Sequence, residues 1–251
     1  MKNELSKIAS ELVTSCGIDI ALFAEYQALD IDKFKSGAES YNFLEDKGCE
    51  KIIIFHKKDI SASIRRGAHY YRIISVKTET GDLIITGLHL PAMESGREDR
   101  LAVIEDIVPD ICEQERKINS QYSIVIGDFN ADPFDIELTG HRYFNAVLFL
   151  DLINRHETVI FNHKKYRRFY NPMLNYISET EKHYGSYYYH NKNRPIYWHC
   201  LDQIIVRKPL ADKILNVEYC RKIGKKPLVT KNGIVNERYS DHLPLIAELN
   251  I

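Results

Sequence analysis

The sequence has almost no net charge: 34 Lys and Arg stand against 35 Asp and Glu, a formal balance of -1 over 251 residues. That balance excludes a uniformly basic nucleic-acid coat, although a local basic patch can bind a polyanion whatever the total. Cysteine is sparse. Its five positions, Cys16, Cys49, Cys112, Cys200 and Cys220, form an odd, scattered set without a CxxC pair. This argues against a disulfide framework or a cysteine zinc site and for reduced thiols in the cytoplasm. Long apolar runs are missing too, and none approaches the roughly 20 residues that cross a bilayer. The opening MKNELSKIASEL is too charged for a signal peptide. No internal repeat, low-complexity tract or linker stands out, and 44% hydrophobic residues suffice for ordinary packing. The expectation is one cytoplasmic α/β domain over residues 1–251, with no membrane span.

What is present alternates between helix and strand patterns. Leu5, Ile8, Leu12 and Val13 recur at helical spacing, predicting a helix over 4–15 that stops at Gly17. IDIALFAEY, EKIIIFH, HYYRIISVKT and DLIITGLHL read as strands, the last two joined through the turn ETGD. Leu101, Ile104, Ile107 and Ile111 mark one face of a helix from Arg97 to about Lys117, with Pro109 a point for a kink. YSIVIGDFNADPFD then ends a buried strand on a carboxylate and a carboxamide. Beyond Asp135, the stretch from Leu138 to Leu152 has helical character, and 154–193 reads as loop-rich. Order returns with IYWHCLDQIIV, ILNVEYCRKI and the C-terminal SDHLPLIAEL.

Several of these strands end on polar groups. Glu25, His89, Asp128 with Asn130, and Asp241 with His242 come from four separate segments, and Asp202 lies within WHCLDQIIV. One such residue alone is ordinarily a solvated carboxylate or a satisfied histidine. Together they fit one sheet edge, where ligands bind in α/β folds. Glu25, Asp128, Asn130 and Asp241 are hard oxygen donors without a thiol, which suits Mg²⁺ or Mn²⁺ better than zinc. The histidines supply proton transfer or transition-state hydrogen bonds, and Asp202 is available to orient His242. The chemistry this pattern implies is metal-assisted phosphoester hydrolysis.

In order along the chain, LFAEYQ, TGLHLPA, GDFNADP, LDQIIV and SDHLPL resemble the motifs of the endonuclease/exonuclease/phosphatase superfamily. The resemblance runs from Ile18 to the C-terminus and is most specific in the pairing of GDFN with SDH. It implies a four-layer α/β/β/α sandwich of two mixed β-sheets flanked by helices, with the site at one end of the sheets. By position, Glu25 is similar to the main metal ligand, and Asp241 to a possible further one. Asp128 and Asn130 are similar to the pair that positions the water and contacts the phosphate or a second ion. His242, held by Asp202, is similar to the essential histidine, and His89 to the second histidine of the deoxyribonuclease branch. Family members usually begin with a strand ending in an Asn of the metal shell. Here Met1 lies almost directly before the first helix, so on this resemblance either the chain begins downstream of its natural start or the protein has lost that first strand and its ligand, the former being favoured. The expectation is a chain that begins downstream of its natural start and binds metal weakly.

Three functions stay open at this point. A nuclease acting on DNA or RNA is favoured by His89 and by the basic aromatic segment His163 to Arg194, in which Arg167, Arg168 and Arg194 are the expected substrate-binding residues. A phosphatase or phosphodiesterase for a small-molecule or lipid-headgroup phosphoester is the alternative, since the same arginines can grip phosphate clusters. A catalytically weak binding protein of the same fold is the third. His56, His69, Arg65 and Arg66 read as strand decoration, and Arg100 as a solvated helix residue or a phosphate support. His190 and His199 receive no role.

Overall fold

The computed structural model describes residues 2–44, 48–177, 184–190 and 197–251. Arg194 lies outside the described residues. In chain order the first elements are α1 (Lys2–Ser15), β1 (Ile20–Ala24), α2 (Ile31–Gly37), β2 (Tyr41–Leu44) and β3 (Ile52–Lys57). There follow β4 (Ala62–Ala68), β5 (Tyr71–Thr78), β6 (Gly81–His89), α3 (Arg97–Lys117), β7 (Tyr122–Asp128) and α4 (Ile136–Thr139). Next come β8 (Ala146–Val147), α5 (Leu150–Arg155), β9 (Thr158–Phe161), β10 (Lys164–Arg167), β11 (Phe169–Tyr170) and α6 (Met173–Tyr176). The last are β12 (Tyr187–Tyr188), β13 (Trp198–His199), β14 (Asp202–Val206), α7 (Lys208–Ala211), β15 (Ile214–Tyr219), β16 (Lys222–Ile223), β17 (Lys226–Pro227) and β18 (Leu245–Leu249).

The period-2 alternation of side chains along these strands explains the layering. In β3, Ile52 and Ile54 face one core while Ile53 and Phe55 face another with Ala9, Val13 and Phe34 of α1 and α2. In β5, β7 and β14, Ile74, Ile124 and Ile204 enter the first of these cores. Their neighbours Ile73, Val125 and Ile205 pack on Ile104, Ile107 and Ile111 of α3. Strands buried on both faces read as continuous apolar runs, as these do. The result is α3, a seven-stranded mixed sheet in the order β4-β5-β6-β7-β14-β11-β8, a second sheet layer, and α1 with α2. Gly87 sets the approach of the two sheet layers, since a Cβ there would stand 1.9 Å from Leu22 Cδ1 of β1.

Three expectations need correction. The second sheet layer is antiparallel and in two pieces, β1-β3-β2 and β15-β18, with no ladder between them among the described residues. Leu138 to Leu152 is not one helix. The backbone turns at Gly140, passes a left-handed Asn145 (φ 51°), and pairs β8 with β11 before α5 begins. The segment after Asn154 holds the hairpin β9-β10 as well as loops. Pro109 lies inside an unbroken α3. No disulfide joins the five cysteines, and no helix among the described residues is long and apolar enough to cross a membrane.

Candidate active site

Strand register assembles the site. In the parallel pair β6-β7, His89 stands opposite Asp128, and in the antiparallel pair β7-β14, Asp202 stands opposite the same Asp128. Three chemically active side chains from three segments therefore share one rung across the middle of the large sheet. Gly127 permits it: its φ is 145°, and a Cβ there would lie 2.0 Å from the Leu88 carbonyl oxygen. Phe129 is fully buried against Phe144 and anchors the loop that follows. Asn130 can then take a left-handed turn (φ 46°), donate its backbone N–H to Asp128 Oδ1 at 2.8 Å, and donate Nδ2 to Leu90 O at 3.0 Å and Asp128 Oδ2 at 3.1 Å. Asn tolerates this backbone region better than most residues, which accounts for the GDFN order.

His242 reaches the rung from the loop before β18. Its Nδ1 lies 2.7 Å from Asp202 Oδ2, and its backbone N–H donates to Ser240 Oγ at 3.1 Å. Burial opposes the imidazolium, but the Asp202 carboxylate outweighs it and lifts the His242 pKa to about 10. Asp202, buried as well, is held below the usual carboxylate range by the same partner. Asp128 feels the His242 charge only through space, without a direct bond among the described residues. Its burial, then the neighbouring Asp202 charge, push its carboxyl up to about 7. His89 Nε2 lies 3.5 Å from Asp128 Oδ2, too long for a good hydrogen bond. Burial lowers the His89 pKa and keeps the ring neutral, and its Nδ1 is buried with no partner among the described residues.

Glu25 and Asp241 stand at the rim. Glu25 ends β1 in a left-handed conformation (φ 49°), and its side chain is 69% exposed with Lys51 Nζ 3.9 Å away. Such a backbone is uncommon for Glu and clusters at functional positions. Its field reaches His89, and that of Asp241 reaches Asp128. As a metal site the donors fit in chemistry: all are oxygens, and Asp128 is buried beside the Asp202 carboxylate, a crowding of acidic groups that a cation would relieve. They are not drawn into a chelate, for among the described residues no group of three His, Cys, Asp or Glu stands ready to hold an ion.

Of the expected substrate arginines, Arg167 and Arg168 are not brought to this site. Arg167 Nη1 pairs with Glu115 at 2.8 Å and Nη2 with Glu157 at 3.3 Å, while Arg168 Nη1 donates to His156 O. Both precede β11, which meets β14 at Val206, four residues and roughly 13 Å along the strand from Asp202. Arg100 is buried against Glu137 at 2.9 Å, neither solvated nor free for phosphate. Residues the sequence did not single out stand close instead. Tyr187 lies tilted against His242, ring centroids 4.9 Å apart and planes at 43°, and Tyr189 adjoins Tyr187 at 6.3 Å. His199 Nδ1 lies 2.6 Å from Asp132 Oδ2. The aromatic interleaving around 163–194 was the available signal for the tyrosines, and nothing in the sequence pairs His199 with a residue 67 positions away.

No protein-family profile and no curated protein sequence matches the chain. Solved structures do. A mannosyl-6-phosphatase of Bacteroides thetaiotaomicron matches at TM-score 0.57 and 14% identity, over 99% of this chain and 91% of that one. D. rerio TDP2, complexed with single-strand DNA product, matches at 0.60 and 15%, over 100% and 93%. An endonuclease/exonuclease/phosphatase family protein of Bacteroides thetaiotaomicron matches at 0.55 and 12%, over 97% and 88%. At these identities the likeness shows the fold.

Proposed function

We infer that this chain, which has the endonuclease/exonuclease/phosphatase fold, is a divalent-metal-dependent phosphoester hydrolase acting as one cytoplasmic domain over residues 1–251, and that its substrate is a phosphodiester of DNA or RNA. The observation that carries this reading is the rung of His89, Asp128 and Asp202 with His242 seated on Asp202. The imidazolium of His242 donates to a phosphoryl oxygen, where negative charge grows in the transition state. Asp202 keeps that ring charged and oriented. Asp128 and Asn130, fixed to one another by hydrogen bonds, orient the attacking water, and the neutral His89 beside them is a hydrogen-bond partner for the phosphate. Glu25, Asp128 and Asp241 are the residues to hold Mg²⁺ or Mn²⁺, which would neutralise phosphate charge and polarise the scissile bond. Tyr187 and Tyr189 offer a stacking face next to His242, the feature that favours nucleic acid, and the TDP2 neighbour bears a single-strand DNA product.

One observation favours a second substrate class. Arg167 is engaged in ion pairs far from the rung, so the basic track expected for a long polyanion is not assembled among the described residues. A small phosphoester, as the name of the mannosyl-6-phosphatase neighbour suggests for that protein, needs no such track. The test is cleavage of labelled single- and double-stranded DNA and RNA, beside sugar phosphates and bis(p-nitrophenyl) phosphate, with Mg²⁺ or Mn²⁺ and with His242→Ala as control. Metal-dependent cleavage lost in the variant supports the reading and names the substrate. Turnover of none of them, with metal present, would sink it and leave a binding protein.

A further inference from the structure

The antiparallel pair of β12 and β13 is fastened at its base to three of the site's segments, those that carry Asp202, His242 and Asn130. Ser186 Oγ accepts the Asp202 N–H at 3.0 Å, and Ser186 O accepts the Leu243 N–H at 2.8 Å, one residue beyond His242. The third fastening is the Asp132–His199 contact. Asp132 Oδ2 meets His199 Nδ1 at 2.6 Å, and Asp132 Oδ1 accepts the Cys200 N–H at 2.8 Å. Beside it, Gln203 Nε2 donates to Ala131 O at 2.6 Å. Residues 131 and 132, immediately after Asn130, are therefore pinned twice to the segment that carries Asp202.

Both oxygens of Asp132 are committed, so its carboxylate has one orientation. His199 is equally fixed: its side chain is only 8% exposed, and Nε2 is buried without a partner among the described residues. A carboxylate at Nδ1 selects the tautomer that carries its proton there. Asn130, two residues upstream, occupies a left-handed conformation that the chain keeps only while its surroundings over-determine it. The last backbone bond of the loop to the Asp202 segment is Phe129 N–H to Leu201 O at 2.9 Å, and beyond Asn130 the Gln203 and Asp132 contacts alone carry the attachment among the described residues.

We propose that Asp132 and His199 are positioning residues, a second carboxylate–imidazole pair that locks the Asp128–Asn130 loop at a fixed height against Asp202 and His242. The assignment rests on the phosphoester-hydrolase reading for its kinetic consequence. The pin itself is independent of any substrate.

The test uses Asp132→Ala, Asp132→Asn and His199→Phe in the full chain, assayed with Mg²⁺ on bis(p-nitrophenyl) phosphate and on a labelled oligonucleotide. Loss of the pin lets the loop drift, and a displacement near 1 Å costs up to about 100-fold, so Asp132→Ala and His199→Phe should lower kcat about 10- to 100-fold with KM within about threefold. Asp132→Asn keeps an acceptor for Cys200 and a polar contact to His199, and should recover kcat to within about threefold of the parent. An activity-independent reporter is the backbone amide of Asn130, whose ¹⁵N–¹H signal should move in Asp132→Ala and His199→Phe and stay near its place in Asp132→Asn. An unmoved Asn130 signal in folded Asp132→Ala overturns the pin, and parental kcat with a moved signal overturns its catalytic role. If the parent hydrolyses neither substrate, the phosphoester reading fails while the amide signal still decides the pin. Should Asp132→Ala not fold, His199→Phe, which leaves the Cys200 bond in place, is read in its stead.

Discussion

Asp128 and His242 both hold their protons longer in the folded chain than in the unfolded one, for opposite reasons. His242 is charged up to about pH 10 when folded, against an ordinary value near 6.5, so its contribution is complete below about 6.5 and is lost as pH rises to about 10. Asp128 stays protonated up to about 7, against 3.8, so stability also falls across that lower window as the buried carboxyl ionises. Urea denaturation over pH 4 to 10 without divalent metal should show both declines. Asp202→Asn should erase the upper one and Asp128→Asn the lower. Gly127→Ala is expected to cost about 3 kcal/mol or more, since it meets the Leu88 carbonyl at an unfavourable φ. These residues were legible in the sequence because each sits in a short motif whose order has a local reason. Asp132 and His199 were not, because their contact spans 67 positions and follows no periodicity. Arg167 was misread because composition reports that a segment is basic, not which carboxylates its turns bring within reach.

At the scale of elements, α3 and the short α4 are joined by Arg100 and Glu137, buried at 2.9 Å behind the GDFN loop. Arg100→Met leaves the buried Glu137 carboxylate only the longer Arg97 contact at 3.4 Å and should cost up to about 3–5 kcal/mol, and adding Glu137→Leu should restore most of it, as chemical denaturation would show. Arg167→Gln is expected to lower stability through Glu115 while leaving KM unchanged, the reverse of what a phosphate ligand would do. Tyr187→Ala should raise KM for an oligonucleotide about 5- to 100-fold, the worth of one base stack, and leave KM for bis(p-nitrophenyl) phosphate within about threefold. The long strands and α3 were readable from hydrophobic period alone. The stretch around β8 was not: it has apolar residues at helical spacing, and only the turn at Gly140 and pairing with β11 override that preference.

Across the whole molecule, the four-layer arrangement was implied by the resemblance carried on GDFN and SDH and not by strand period, and the division of the second layer was legible in neither. Strand patterns show that a segment pairs, but not with which neighbour. β1 is hydrogen bonded to β3 and β18 to β15, and no ladder crosses from one piece to the other among the described residues. Glu25 rides at the end of one piece, and Asp241 with His242 leads into the other. Each piece keeps its own contact with the large sheet, β1 beside β6 and β7, and β18 beside β14. The two rim carboxylates are thus referenced to one another through the large sheet, whose rung of His89, Asp128 and Asp202, laddered on both sides, is the common datum of the site.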